Sequence, residues 1–553
     1  MKIFNRKIYK TLIALSLVFI IAAGTTSFVR SDFQISKNLE IFATLLQKLH
    51  TNYVDEIKTG ELVETGINAM LQKLDPYTVY IQESEIEEYK LMTTGKYGGI
   101  GSTVQQRGDH VQVTSLYEGY AAEKAGLRIG DRILKVDKKN VEGKSSDDVS
   151  NLMKGQAGSE ISLTIYRPVK EDTIEIKVKR ENIKVPNIPY SGMLENKTGY
   201  IKLSSFTQEA GSKVKEAFLD LKENNELNGL IIDLRNNGGG LLGEAVKIVN
   251  LFVPKGELVV ETRGKLESKN NSYYTTSEPL DTSIPLVILV NGNSASASEI
   301  IAGAIQDLDR GLIIGEKTFG KGLVQNIVSL NYNTRMKVTV AKYYIPSGRC
   351  IQAVDYSTKQ DAKVSPDSLK RIFETKSGRI VYDGAGIYPD IEVPSQTYQP
   401  ISKSLVMDHM IFDFATLFQY EVDSIQRPSE YTVSEQTYND FGEFLTKMDF
   451  EYQTDTEKSL EKLTETAKEE KYLQAIEGDL ESLKNELHHD KAQDLQDFKD
   501  EITGLLRLEI VSRYYHMRGK VISSLKNDKQ TLRAIELLND PDAYNKLLKP
   551  QSE

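Results

Sequence analysis

Three serines, Ser294, Ser296 and Ser298, fall within the run NGNSASASEI that begins at Asn291, and a hydroxyl in such a place can attack a carbonyl carbon. The apolar run Ile284 to Val290 ahead of them reads as a strand, and the pattern from Ser298 onward reads as a helix. The serines therefore occupy a small-residue turn at a helix start, where freed backbone N–H groups and the helix dipole favour negative charge. A serine is a weak nucleophile until a base takes its proton, and near pH 7 that base is a histidine or an unusually desolvated lysine. The histidines are His50, His110, His409, His488, His489 and His516, so none lies near the serines in sequence. The nearby candidate is Lys321, bracketed by Gly320 and Gly322 after the apolar run Leu312 to Gly315. Glycine on both sides lets the backbone approach closely and turns the amine inward. Gln325 can then support that amine through its carbonyl oxygen.

The elements that would position these groups alternate between strand and helix, which argues for an α/β core. Gly199 to Leu203 reads as a strand, Ala210 to Asn224 as an amphipathic helix, Gly229 to Leu234 as a buried strand and Leu242 to Phe252 as a further helix. Between the last two, DLRNNGGG (Asp233 to Gly240) ends a strand on a glycine triplet whose consecutive amides suit an oxyanion.

SASASEI followed by TFGKGLVQ resembles the paired signature of the carboxy-terminal processing peptidases, tail-specific serine proteases with a Ser-Lys dyad, and the spacing of the two motifs agrees with that family. The resemblance implies Ser296 as nucleophile, Lys321 as base and Gln325 as support for the base. DLRNNGGG resembles the family's DLR-N-x-GG motif, which implies Gly239 and Ala297 as oxyanion donors and leaves Gly240 open as a neighbour. It also implies a core similar to the crotonase and caseinolytic-protease α/β spiral. YYIPSGRCIQ (Tyr343 to Gln352) and GIYPDIEV (Gly386 to Val393) resemble the closing strands of that core, and NYVDE and LDPYTVYI resemble its amino-terminal helical region. Other serine hydrolase patterns fit worse: Gly292 to Ser296 lacks the closing glycine of G-x-S-x-G, and the Lys-Thr-Gly triplets at Lys58 and Lys197 follow no Ser-x-x-Lys.

From Gly95 to about Arg167 the chain is punctuated by glycine, with short β-rich runs and a helical stretch, Ser145 to Lys154, capped by serine and acidic residues. Through AGLRIGDRILKV above all, this unit resembles a PDZ domain in the permuted order of the processing peptidases. A PDZ domain adds an extended peptide to a sheet edge and captures its terminal carboxylate on backbone N–H groups. The resemblance places the carboxylate loop at Gly98, Gly99, Ile100 and Gly101, and the pocket for the last side chain at Val149, Leu152 and Met153.

At 553 residues the chain is long enough for several domains, and a net charge of -10 gives no electrostatic case for nucleic acid. Cys350 is the sole cysteine, which excludes an intrachain disulfide and argues against a thiolate metal cluster; it stands where serine is frequent in the motif that YYIPSGRCIQ resembles, and reads as a buried small residue and not a second nucleophile. Residues 1–30 read as a signal peptide or a retained anchor: Lys2, Arg6, Lys7 and Lys10 precede an apolar run, Leu12 to Ala23, that is short for a membrane span. Export would place the chain in a periplasmic or other extracytoplasmic space, with attachment to the inner membrane as the alternative.

The remaining segments divide as a helical amino-terminal region (31–94), the PDZ domain (95–170), a serine protease core (171–400) and a charged helical region (401–553). The core carries a polar surface insertion at 353–383, and Thr173 to Lys184 reads as a β-rich link. The last region suits dimer contacts, an adaptor or substrate retention. His488 and His489, neighbours on a helix, point apart and read as solvent-facing instead of metal-binding. The whole predicts an α/β multidomain serine endopeptidase that grips proteins by free, apolar carboxyl termini and needs no metal or organic cofactor. The competing readings are a non-catalytic PDZ scaffold that binds carboxyl-terminal peptides and a membrane-anchored structural protein.

Overall fold

The computed structural model describes residues 33–356, 363–364, 371–487 and 491–550. The expectations for residues 1–30, for His488 and His489, and for 357–362 and 365–370 of the insertion lie outside the described residues. Two compact units divide the chain after Tyr80. The first contains a helix over residues 33–52 and a second at Thr59–Gln72. Asp75 then accepts the N–H groups of Tyr77 and Thr78, a side-chain turn that stops the helical path just before Pro76.

Within the second unit, the PDZ segment is an antiparallel sheet in the order Ser102–Arg107, His110–Leu116, Arg132–Val136, Glu160–Arg167 and Asp172–Lys179. Its helix, Ser146–Met153, is capped by the Ser145 hydroxyl, which accepts the N–H of Asp148. Asp172–Lys179 was expected in the link; it pairs along its length with Glu160–Arg167 because Ile174, Ile176 and Val178 present every second side chain to the same core. Lys96–Gly99 pairs with Glu181–Lys184, so the chain passes into and out of this segment side by side.

The core is a six-stranded sheet in the order Tyr190–Met193, Thr198–Lys202, Gly229–Asp233, Leu286–Val290, Leu312–Gly315 and Ile391–Glu392, parallel except for its first pair. GLIID, LVILV and LIIG are buried at every position, as strands covered on both faces must be. Ile232 and Ile288 pack with Phe218, Ile248 and Ile301 from the helices Ala210–Asn224, Leu242–Val249 and Ala297–Asp307. Their neighbours Ile231 and Leu289 point the other way, against Leu538 and Tyr544 of the helices Lys529–Leu538 and Pro541–Leu547. The final helices thus form the second layer of the core, beyond the role of an appendage. The helices Pro400–Met407, Met410–Glu421, Glu435–Lys447 and Lys499–Leu525 build a separate core around Phe414, Phe441, Leu445, Ile502 and Ile510. Arg107 joins that helical body to the PDZ sheet by a two-pronged pair with Asp413, at 2.7 and 2.9 Å.

Because Gly229–Asp233, Leu286–Val290 and Leu312–Gly315 run parallel, the loops that follow them emerge at one end of the sheet, where open α/β sheets place their ligands. Those loops hold the glycine triplet, the three serines and Lys321. A second, antiparallel sheet, which includes Leu258–Gly264, Leu323–Ser329 and Arg335–Tyr344, carries Gln325.

Candidate active site

The three serines are told apart by what their hydroxyls touch. Ser294 Oγ donates to Leu234 O at 2.9 Å and accepts the N–H of Asn291 at 2.9 Å. Ser298 Oγ donates to Asn237 O at 2.8 Å. Both are committed to stapling the serine turn onto the loop after Gly229–Asp233, and both are fully buried. Ser296 alone keeps some surface, at 7%. Its backbone sits at φ 56°, ψ -111°, a region costly for a residue with a side chain and held here by its surroundings. The helix that follows begins at Ala297 and is buried throughout, so the positive end of its dipole lies beside Ser296.

Asn237 organises the facing loop. Its carbonyl also accepts the N–H of Ala295 at 3.1 Å, its Nδ2 donates to Leu203 O at 2.8 Å, and its Oδ1 accepts the N–H of Gly239 at 3.0 Å. Gly239 has φ 98°, and a Cβ there would lie 2.8 Å from Ser296 Cβ and 2.9 Å from the Ala297 nitrogen. Its lack of a side chain is what lets the two loops touch. Gly240, at φ 147°, lies against Phe206.

Glu299 links the serine turn to the lysine loop. This fully buried carboxylate accepts the N–H of Ser296 and the N–H of Lys321 on Oε2, each at 2.8 Å. Its Oε1 accepts the Thr318 hydroxyl at 2.6 Å and the N–H of Gly320 at 2.7 Å. Burial pushes its pKa above the usual carboxylate value, and those four donated bonds pull in the opposite direction. Phe319 N–H adds a bond to Ser294 O at 3.1 Å. Lys321 is half-buried, and its loop is closed by Gly322 N–H on Gln352 Oε1 at 2.7 Å and by Tyr343 N–H on Gly322 O at 2.8 Å. Gln325 is half-buried on the neighbouring strand, where its amide nitrogen donates to Leu323 O at 3.1 Å and Thr339 Oγ1 at 3.3 Å.

Below the glycine loop, Asp233 is buried with Lys202 at 3.0 Å, Arg235 at 2.7 Å and the Tyr200 hydroxyl at 2.7 Å. Burial opposes its ionisation, yet these partners hold the carboxyl well below the usual range. Arg235 carries the network on to Asp528 of the final helical layer. Cys350 is half-buried, and burial pushes its thiol up, which keeps it protonated.

In the PDZ segment, Gly98 and Gly99 pair with Asn182 and Glu181, and Ile100 and Gly101 are buried. Val149 and Met153 belong to the core of the segment, and Leu152 keeps part of its surface. The edge strand Ser102–Arg107 lies beside this glycine run. Glu299, Asn237 and Tyr343 escape a reading centred on nucleophile and base. Glu299 carries a readable sign, since it stands three residues past Ser296 in capping-box spacing.

The model for peptidase family S41 matches residues 197–367, that for the PDZ domain residues 112–167, and that for a probable PDZ-protease C-terminal helical domain residues 401–538. A carboxy-terminal-processing protease of Bartonella bacilliformis is 37% identical over 58% of this chain and 73% of the relative. A probable CtpA-like serine protease of Staphylococcus aureus is 32% identical over 74% of this chain and 81% of its own. Among solved structures, the photosystem II D1 C-terminal processing protease is 28% identical, covering 63% of this chain and 86% of its own with a TM-score of 0.35. The PDZ domain of a Vibrio cholerae carboxy-terminal protease, solved with a peptide, is 29% identical over 16% of this chain and 99% of its own, with a TM-score of 0.16. By these matches the chain belongs to the carboxy-terminal-processing proteases of peptidase family S41, serine-type peptidases, and carries a PDZ domain.

Proposed function

We propose that this peptidase cleaves exported proteins with a Ser296–Lys321 dyad after gripping their free carboxyl termini in its PDZ domain. The observation that carries the dyad is the shared carboxylate, since the amides of Ser296 and Lys321 donate to the same oxygen of Glu299. Uncharged Lys321 takes the Ser296 proton as Oγ bonds to the peptide carbonyl carbon. The N–H of Ala297, at the start of a buried helix, receives the oxyanion, with Gly239 as second donor. The Gly239 N–H rests on Asn237 Oδ1, so the asparagine must share or release it during turnover. The lysine ammonium returns its proton to the amine as the C–N bond breaks, and water, activated by the same base, resolves the acyl ester. Gln325 supports the lysine from its strand. No step calls for a metal or organic cofactor.

The substrate tail would extend the PDZ sheet along Ser102–Arg107, its carboxylate at Gly98 to Gly101 and its last side chain at Leu152, above Val149 and Met153. We read the core as a crotonase-like spiral (171–400), with the PDZ domain at 95–170 extended by its last strand to Lys179. Residues 31–94 form the helical lead, 401–553 a helical region open to an adaptor or a second copy, and 1–30 the signal or anchor that sends the chain out of the cytoplasm.

The test is incubation with an unfolded protein bearing a free apolar tail. The wild type shortens it, and Ser296→Ala or Lys321→Ala lowers the rate by about 10,000-fold or more while leaving binding intact. A scaffold would bind the tail and leave its length unchanged, and normal turnover by Lys321→Ala would exclude the dyad.

A further inference from the structure

The edge strand Ser102–Arg107 of the PDZ sheet runs up against the helical body. Arg107, its last residue, is pinned to Asp413, and Phe412 beside that aspartate packs against the PDZ core. Just short of this junction, Gln105 forms one wall of a cleft of about 520 Å³, a size typical of ligand clefts. The helical body supplies its apolar lining: Val406 and Met407 at the end of Pro400–Met407, Phe412 on Met410–Glu421, and Leu505 and Leu508 on Lys499–Leu525. Met407 is 76% exposed and Val406 47% exposed. Apolar side chains left uncovered together at one cleft mark a surface that binds something.

Strand register says what reaches it. Val104 pairs with Val113 and packs on the PDZ core, so Gln105, paired with Gln112, projects from the opposite face of the sheet. A carboxyl tail added to this edge has its carboxylate at Gly98 to Gly101, ahead of the strand, so its preceding residues run along the strand toward Arg107. Side chains directly opposite one another in such a pair share a face. Alternate side chains of the tail therefore turn to the pocket at Leu152, and those between them turn to the face that carries Gln105. Gln105 lies three residues beyond the start of its strand, and the tail advances one residue for each residue of the strand. The cleft is thus met by side chains that begin about three residues ahead of the terminal one and continue upstream.

We propose that the cleft between Gln105 and the helical body is a second substrate subsite, which takes apolar side chains about three to seven residues upstream of the end of a protein tail. This rests on the reading of the PDZ edge as the strand that grips the tail, and it lengthens what is recognised. Burial of apolar surface is the whole of its chemistry. An extended apolar stretch lies inside a folded protein and is accessible in an unfolded one, so the subsite selects tails whose protein has lost its packing.

The experiment uses the full chain carrying Ser296→Ala, so that tails stay whole, and reads the fluorescence anisotropy of labelled peptides. Two peptides share one short apolar end with a free carboxylate; upstream of it, one carries a run of leucines and the other a run of serines. The leucine peptide should bind about 10-fold tighter or more. Val406→Ser combined with Met407→Glu, both at exposed positions, should bring the two peptides within about twofold of each other and leave the serine peptide unchanged. Equal affinities in the parent chain, or a leucine preference that survives the double variant, overturn the proposal. If both peptides bind alike while the double variant abolishes a dimer seen in sedimentation, the cleft belongs to a second copy and the proposal fails. Amidation of the carboxylate tests the underlying reading separately: a serine peptide whose affinity does not fall removes the PDZ tail site and the subsite with it. A serine peptide that binds, weakens on amidation and gains nothing from leucine removes the subsite alone.

Discussion

The amides of Ser296 and Lys321 meet on one atom, Oε2 of Glu299, each at 2.8 Å. The other oxygen of that carboxylate takes a hydroxyl and a further amide, so four donors converge on a side chain that can only accept when ionised. In Glu299→Gln one oxygen becomes an NH₂ group facing donors, whichever way the amide is turned. Each buried donor left without a partner costs about 1–3 kcal/mol, and a displacement of the dyad by about 1 Å costs about 100-fold in rate. Glu299→Gln should therefore lower kcat by about 100-fold, with a much smaller change in KM, and lower the denaturant midpoint. Steady-state kinetics and urea melts check both, and wild-type kcat would show that alignment does not pass through the carboxylate.

Gly239→Ala and Gly238→Ala make a matched pair on adjacent residues. At Gly239 a Cβ would stand 2.7 Å from Ala295 O and 2.8 Å from Ser296 Cβ, at φ 98°, whereas at Gly238 it would meet nothing within 4 Å. Neither neighbour of Gly239 is the end of a flexible side chain, so the serine turn must shift. Gly239→Ala should lose about 100-fold in kcat, and Gly238→Ala should stay within about threefold of wild type. Equal effects in the two variants would mean that the loop tolerates a side chain at its contact with Ser296.

Asp233 makes the core sensitive to acid. Its folded pKa lies below the ordinary value of about 3.9, so the unfolded chain takes up the proton first as pH falls. The stability it contributes is complete above about pH 5 and is lost as pH drops below about 4 toward the folded value. Asp233→Asn leaves Lys202 and Arg235 without their buried counter-charge, which should cost about 3–5 kcal/mol at pH 7. The melting temperature of the variant should also fall less steeply than that of wild type between about pH 4 and 2. Parallel slopes in thermal melts across that interval would assign the acid sensitivity to other carboxylates.

Legibility in the sequence tracks how local each determinant is. Gly229–Asp233, Leu286–Val290 and Leu312–Gly315 announce themselves as unbroken apolar runs, so the central strands of the sheet are readable. The serine turn and the lysine turn are readable as motifs. Their residues alone do not choose among Ser294, Ser296 and Ser298, because the carbonyls that occupy two of the hydroxyls belong to Leu234 and Asn237, far back in the chain. Tyr343 closes the Lys321 loop from a neighbouring strand, its N–H on Gly322 O, with no local pattern to mark it. Asp172–Lys179 shows a clear β pattern, but a strand does not name its partner, and so it reads equally well as a link. The same holds for Lys529–Leu538, whose amphipathic face is visible in sequence while the sheet that it covers is not.

That covering makes a prediction of its own at Tyr544, whose hydroxyl donates to Leu286 O and accepts the N–H of Leu286, both at 2.9 Å. Leu286 begins the strand that ends at the serine turn, and the phenol is the cap of its first residue. Tyr544→Phe leaves that buried amide unpaired, at a cost of about 1–3 kcal/mol, with the ring packing kept. Deleting the chain from Lys526 onward is far more severe. It uncovers Tyr200, Ile231, Val287, Leu289 and Ile314 together and takes away Asp528, the outer partner of Arg235. Burying each such side chain contributes about 1.5–3 kcal/mol, so the loss exceeds the few kcal/mol that keep a domain folded. Tyr544→Phe should lower the melting temperature by a few degrees and keep its activity. The truncated chain should aggregate on expression, and a soluble, active truncation would show that the helices merely decorate a self-sufficient core.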